Sequence, residues 1–255
     1  MNKSKMEKYF NINYEFDRHK VHQAIQQRLT EDGSDYICVA DGVIASITLD
    51  DPEYLKIVNG GMFSICDSNF VPLYIKWIYG KRYTQYCGSQ IFEDIIRSRK
   101  YRMLFLGANK ELLDALRNKL IELNPEVTNM TFSELPFCSI EQFDYPAIAK
   151  MVCDDGADII WVSLGAPKQE IFMSRLRPHL NHGVMIAVGA AFKFFSGTET
   201  SRAPEWMIRN HLEFLHRIFK EPKKQIPRCL NIIKTLPRLL LLEIKNKRQS
   251  ERRDY

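Results

Sequence analysis

The sequence predicts an α/β protein, a mostly parallel sheet with helices on both faces, followed by a basic helical C-terminal appendage. Three observations carry this. Runs that are apolar almost throughout, at 36–40, 62–66, 102–106, 159–164 and 183–188, have the length and continuity of strands covered on both faces. Each ends in a turn residue and most lead into a segment of helical spacing, the alternation that builds parallel sheets. From Arg217 onward, twelve basic residues stand against four acidic ones, so the net charge of +5 comes entirely from the end of the chain. At 255 residues the chain can bury a sizeable core, and its 45% hydrophobic and 26% charged content is that of a soluble globular protein. The expected division is a core over 1–212 and an appendage over 213–255.

In chain order, 17–29 has helical spacing through Val21, Ile25 and Leu29. His19 and His22 lie on it without a carboxylate at metal-ligand spacing, which reads as a helix face and not a metal site. The strand 36–40 ends at Asp41-Gly42, and 49–58 reads as a helix. The strand 62–66 then delivers Asp67. A carboxylate at a strand tip in such a sheet sits where a general base is placed, but Asp-Ser-Asn also suits a turn cap, and spacing alone favours the cap. Residues 70–79 are apolar with aromatic emphasis, and Gly80-Lys81-Arg82 forms a loop before a helix around 90–97.

The strand 102–106, the turn at Gly107 and the helix 110–123, with Leu112, Leu113, Leu116 and Leu120 on one side, make a βα unit. It lacks G-x-G-x-x-G, which argues against a nicotinamide or flavin enzyme. A helix over 146–154 leads into the strand 159–164. Gly165 permits a close ligand approach, Pro167 suits a helix start, and Lys168, Gln169 and Glu170 follow at the mouth of the sheet, where helix N-termini favour anions. An ordinary βα loop with solvated polar residues has equal weight there. The strand 183–188 ends in Gly189-Ala190-Ala191. Residues 192–201 read as a polar loop, and Arg202-Ala203-Pro204-Glu205-Trp206-Met207 opens a helix with Leu212, Leu215 and Phe219 on one stripe. His211 and His216 do not share a face.

The six cysteines show no C-x-x-C spacing and read as small buried hydrophobes in a reducing compartment. The first ten residues have no signal-peptide pattern, and no apolar run approaches the roughly twenty residues that span a bilayer, so a cytoplasmic location is expected. In the tail, Leu230, Ile233, Leu236, Leu239, Leu240 and Leu242 interleave with Lys234, Arg238, Lys245 and Lys247, a basic amphipathic helix with Pro237 as kink or break. Packing on its own domain and docking on a membrane surface both fit this pattern. Nucleic-acid binding is the weaker competitor and is not expected.

Four blocks are specific: Asp-Ile-Ile-Trp-Val-Ser-Leu-Gly-Ala-Pro-Lys-Gln-Glu at 158–170, Val-Gly-Ala-Ala-Phe at 188–192, Arg-Ala-Pro-Glu-Trp-Met at 202–207 and Glu-Phe-Leu-His-Arg-Ile-Phe-Lys-Glu-Pro at 213–222. In order and spacing they resemble the WecG/TagA/CpsF family of bacterial glycosyltransferases, and the resemblance spans roughly 36–228. It implies a Rossmann-like fold and a metal-independent, inverting enzyme without cofactor. Such an enzyme moves an N-acetylhexosamine-type sugar, N-acetylmannosamine or its uronic acid, from a UDP donor to an undecaprenyl-diphosphate-linked saccharide in surface-polysaccharide or teichoic acid synthesis. It further implies peripheral association with the inner leaflet of the cytoplasmic membrane, and leaves a homo-oligomer open.

By this resemblance Asp67 falls on the family's proposed base, which raises the base reading above the cap. Gln169, with Gly165, Lys168 and Glu170 of its block, falls on the nucleotide-sugar pocket, and Arg217, Lys224 and Arg228 fall on basic positions of the appendage. Gly42, Gln85, Gly107, Gly189, Lys193 and Arg202 complete the expected substrate-binding set. The chain departs from the family at Ala40-Asp41-Gly42, commonly Thr-Pro-Asn, at Gln85, usually Arg, and at Lys193, usually Asp. Without a divalent cation, the departing UDP needs helix N-termini and cations, for which Lys193, Arg202, Arg217 and Arg228 are the candidates. Transfer of another hexose such as glucose, or a non-catalytic nucleotide-sugar-binding homologue, are the alternatives.

Overall fold

The structure, a computed structural model, describes residues 7–197, 218–220 and 222–252. Strands β1 (Glu7–Tyr9), β2 (Ile12–Tyr14), β3 (Asp35–Ala40), β4 (Phe63–Cys66), β5 (Met103–Gly107), β6 (Thr131–Ser133), β7 (Ile159–Ser163) and β8 (Val184–Ala187) form one sheet in the order β1-β2-β4-β3-β8-β7-β5-β6. Every neighbouring pair is parallel except β1–β2. The helices are α1 (Arg18–Arg28), α2 (Gly42–Asp50), α3 (Pro52–Gly60), α4 (Phe70–Tyr79), α5 (Gly88–Ser98), α6 (Lys110–Leu123), α7 (Tyr145–Asp155), α8 (Lys168–Leu176), α9 (Ala191–Ser196) and α10 (Pro222–Glu251). This is the expected α/β, Rossmann-like arrangement.

The strict period of two along each strand divides the core. Tyr36, Cys38, Ile160 and Val162 face one side, with Ile44, Tyr54, Val152 and Phe172 from α2, α3, α7 and α8. Ile37, Val39, Ile159 and Trp161 face the other, with Val21, Ile95, Leu116 and Phe192 from α1, α5, α6 and α9. Trp161 is fully buried and meets the Phe92 ring edge-on at 4.8 Å, while Phe105 stacks on Phe132 at 4.2 Å. Burying a side chain of this size contributes about 1.5–3 kcal/mol. Such runs read as strands because both of their faces are covered.

Several elements differ from expectation. The segment 49–58 is not one helix. Asp51 is extended, its carboxylate accepts from Tyr54 N at 2.9 Å, and Pro52 starts α3, because the residue before a proline is pushed out of the helical region. The segment read as a polar loop at 192–201 begins within α9, where buried Ala191 and Phe192 pack on the sheet until Gly197 ends the helix at φ 69°. The β1–β2 hairpin was not foreseen. Phe10 and Asn11 at its turn both have positive φ, 51° and 62°, the two-residue geometry that fits strand twist.

Pro237 does not end the last helix, and neither does Pro227. One face of α10 is fastened to the core. Leu239 joins the core cluster, Thr235 Oγ1 lies 2.7 Å from Ser46 Oγ, and Arg238 makes a two-pronged pair with Asp50. Buried Glu243 accepts from Phe10 N and from Tyr79 OH, both at 2.6 Å. Burial pushes its carboxyl above the ordinary range while these donors hold it down. The helix expected to open at 202–207, the stripe residues Leu212 and Leu215, His211, His216 and the expected 212/213 division lie outside the described residues.

Candidate active site

The chain first builds β3 and then β4 to one side of it, and later returns to lay β8, β7 and β5 on the other. The helices that follow β3 and β8, α2 and α9, lie on opposite faces of the sheet, which leaves a crevice at the C-terminal ends of these two strands, the position where open α/β sheets bind ligands. A cleft of about 510 Å³ occupies it, within the size range of small-molecule sites. Asp67 follows β4, Ser163 to Ala166 follow β7, and Val188 to Ala191 follow β8. Gln169 stands on α8, Lys193 on α9 and Arg228 on α10, and all of these line the cleft.

Asp67 is exposed at the strand end. Its backbone N–H donates to Ala40 O at 2.9 Å, and its Oδ1 accepts from Gly88 N, the first residue of α5, at 3.1 Å. The turn-capping work that Asp-Ser-Asn offered falls to Ser68, whose Oγ accepts from Phe70 N at 3.2 Å and Val71 N at 3.4 Å. The neighbouring thiols stay neutral: burial pushes Cys66 up to about 12 and raises Cys87 as well. A thiolate nucleophile is thereby disfavoured here.

The motif at the end of β7 folds into the cleft wall. Gly165 has φ 78°, which a side-chain-bearing residue rarely adopts, and its N–H donates to Gln169 Oε1 at 3.0 Å. Gln169 Nε2 donates to Glu170 Oε1 at 2.9 Å, and Tyr54 OH donates to Glu170 Oε2 at 3.0 Å. Glu170 is wholly buried. Its carboxyl is pushed up to about 7, chiefly by burial, with the Gln169 and Tyr54 hydrogen bonds opposing and Asp41 adding to the rise. Gly189, at φ 49°, lies beside the Gln169 amide, and its carbonyl accepts from Ser163 Oγ at 2.6 Å.

Of the expected binding residues, Gly165, Gln169, Gly189, Lys193 and Arg228 line the cleft with Asp67. Others do not. Lys168 turns away: its Nζ donates to Cys138 O and stands 4.9 Å from the Phe143 ring centroid. Glu170 lies behind the wall. Gly42 makes room for α10, since a Cβ there would come within 3.1 Å of Ile232 Cδ1. Gly107 serves the close approach of β5 to β7, where a Cβ would meet Ser163 O at 2.5 Å. Gln85 is not among the lining residues, and its Oε1 is buried without a partner among the described residues. Arg202 and Arg217 lie outside the described residues, as does the side chain of Lys224.

Sequence reading missed Asp41, Ser89, Asn109 and Ser163 as lining residues. Asp41 and Asn109 carried a legible signal, an Asx residue between a strand and a helix. Asp41 caps α2 by accepting from Val43 N at 2.9 Å, and Asn109 caps α6 by accepting from Leu112 N at 3.1 Å. A strand-end carboxylate facing a cleft with two cationic side chains suits an anionic ligand together with proton abstraction.

The model of the Glycosyl transferase WecG/TagA/CpsF family matches residues 9–253. A protein of Bacillus subtilis (strain 168), named N-acetylglucosaminyldiphosphoundecaprenol N-acetyl-beta-D-mannosaminyltransferase, is 27% identical over 182 residues, 70% of this chain and 69% of its own. A protein of the same name from Bacillus spizizenii (strain ATCC 23059 / NRRL B-14472 / W23) is 25% identical over 223 residues, 86% of this chain and 82% of its own.

Proposed function

Because the chain belongs to the WecG/TagA/CpsF family of glycosyl transferases, we propose that it is an inverting, UDP-sugar-dependent hexosyltransferase. It moves an N-acetylhexosamine-type sugar, N-acetylmannosamine or its uronic acid, to an undecaprenyl-diphosphate-linked saccharide in cell-surface polysaccharide or teichoic acid synthesis. The observation that carries this reading is the convergence of Asp67, Lys193 and Arg228 on one cleft from β4, α9 and α10. The relatives' names support the acceptor class and the sugar.

In this proposal Asp67 takes the proton of the acceptor hydroxyl as that oxygen attacks the anomeric carbon in line with the departing UDP. The bond to Gly88 N holds the carboxylate at the mouth of the cleft. Lys193 and Arg228 meet the diphosphate charge in a reaction that needs no metal, each charge-assisted contact contributing about 1.5–3 kcal/mol. Gln169 bonds the nucleotide or its sugar. Asp41 and Lys193, two of the departures from the family pattern, line the cleft, and this favours a different hexose such as glucose as the second reading.

The acceptor's lipid places the enzyme on the inner leaflet of the cytoplasmic membrane in this reading. No helix among the described residues is long and apolar enough to cross a membrane. Instead, Ile226, Leu230, Ile233 and Leu241 lie exposed on the side of α10 opposite Thr235, Leu239 and Glu243, with exposed Lys234, Lys245 and Arg248 beside them. On α4, which starts beside Asp67, Phe70, Leu73 and Trp77 are exposed as well, Trp77 by 70%. The test is a calorimetric donor screen of UDP-N-acetylmannosamine against UDP-N-acetylglucosamine, UDP-glucose and UDP-uronic acids. Preferential binding of the first supports the main reading, preference for UDP-glucose the second, and no binding of any UDP-sugar removes both.

A further inference from the structure

Glu170 is adjacent in sequence to a residue of the cleft wall, yet no part of it reaches solvent. Two side chains hold its oxygens: Oε1 accepts from Gln169 Nε2 at 2.9 Å and Oε2 from Tyr54 OH at 3.0 Å. On the far side of the same amide, Gln169 Oε1 accepts from Gly165 N at 3.0 Å. We propose that Glu170, clamped by Tyr54, is a positioning residue that fixes which way the Gln169 amide faces the cleft, leaving its second N–H for a nucleotide-sugar donor. This rests on the reading of the cleft as the donor site.

The chemistry of the amide makes the case. Its nitrogen only donates and its oxygen only accepts. In the observed orientation the oxygen meets an N–H and the nitrogen meets a carboxylate. Rotated by half a turn, the nitrogen would face the Gly165 N–H and the oxygen would face the Glu170 carboxylate, two like-with-like contacts in a buried setting where an unmade hydrogen bond costs about 1–3 kcal/mol. One orientation is therefore selected while Glu170 is ionised. Gly189 borders the same amide, and a Cβ there would stand in ordinary van der Waals contact with the amide oxygen, at 3.7 Å. Tyr54 comes from α3 and Glu170 from α8, so the clamp also ties two helices to the wall.

Protonation of Glu170 would leave one oxygen an acceptor and make the other a donor, so the selection weakens only where the proton sits on Oε1, facing Gln169, and not on Oε2, facing Tyr54. Among the described residues, the titratable groups around it are Tyr54 on α3, Cys38 on β3 and Asp41 at the end of β3. Tyr54 and Cys38 are both raised by burial and stay neutral, which leaves Asp41 as the neighbouring charge. Asp41 is itself engaged in capping α2.

The experiment is UDP binding by calorimetry on the full chain, for wild type, E170A, E170Q, Y54F, Q169A and the Q169A/E170A double variant, between about pH 5.5 and 8.5, with a melting curve for each. E170A is expected to weaken UDP about 3–10-fold, the loss of one hydrogen-bonded positioning contact. E170Q should recover most of that, because its carbonyl accepts from Gln169 and its amide donates to Tyr54, and should remove the part of the pH dependence that wild type owes to Glu170. Adding E170A to Q169A should cost less than twofold more, since a residue acting only through Gln169 has nothing left to position. Additive losses, or an E170Q as weak as E170A, overturn the proposal. E170Q and Y54F preserve volume and carry the test if E170A does not fold. Wild type that binds no UDP overturns the donor reading and the positioning role with it, whereas wild-type binding with additive losses overturns only the latter.

Discussion

Asp67 Oδ1 accepts a hydrogen bond from the backbone N–H of Gly88 at 3.1 Å, which ties the end of β4 to the first turn of α5. The local backbone beyond Asp67 is served by Ser68, which accepts from Phe70 N and Val71 N. Two adjacent side chains thus divide the tasks that their sequence left ambiguous. Ser68→Ala should lower stability by about 0.5–2 kcal/mol, the cost of losing such a cap, while leaving UDP affinity within twofold of wild type. Chemical denaturation and calorimetry read the two effects separately. An unchanged stability with lost UDP binding would reverse the assignment.

Gln169 is the wall residue whose amide is held on both sides, and its truncation removes a polar contact to the donor. Gln169→Ala should weaken UDP binding by about 0.5–1.5 kcal/mol, roughly 2–13-fold. Unchanged affinity in calorimetry would make the residue a purely structural part of the turn after β7.

The limits of legibility are visible at this same motif. Lys168, Gln169 and Glu170 are consecutive and read as one binding block, but a helix turns each successive side chain by roughly 100°. Lys168 consequently meets the 134–144 loop, Gln169 the cleft and Glu170 the interior. Strands β5 and β7 and helix α6 were legible because long, uniform patterns leave little choice. The β1–β2 hairpin was not, as its strands of three residues carry no periodicity. Asp67 was visible from its strand-end position, whereas Arg228, which reaches the cleft from the appendage, could be placed only by resemblance to a family.

Glu170 gives the fold a pH signature. Burial raises its carboxyl from 4.5 to about 7, so the folded state binds this proton more tightly than the unfolded chain does. The stability this confers is complete below about pH 4.5 and is lost as the pH rises through about 7, a change on the order of 2–4 kcal/mol at most. Relative to Glu170→Gln, wild type should therefore lose stability between about pH 5 and 8. Parallel melting temperatures for the two proteins across that range would show that Glu170 is not raised in the folded state.

The outward faces of α10 and α4 predict salt-sensitive binding to anionic vesicles. Sedimentation with vesicles should fall as salt is raised, because charge attraction is screened within about 10 Å at 0.1 M. It should also fall in an Ile233→Asp, Trp77→Ala double variant, which changes two exposed positions and leaves the buried face of α10 intact. Equal sedimentation of this variant and wild type at all salt concentrations would make these faces ordinary solvated surface.

The central claim is that Asp67 removes a proton during sugar transfer from a UDP donor. Its most direct test is the rate of UDP release from UDP-N-acetylmannosamine in the presence of an N-acetylglucosaminyl-diphosphate-lipid acceptor, compared between wild type and Asp67→Asn. Wild type should turn over, and the variant should bind UDP within a few-fold of wild type while its transfer rate falls by roughly 10²–10⁴, the range for loss of a general base. Near-normal transfer by Asp67→Asn would contradict the account.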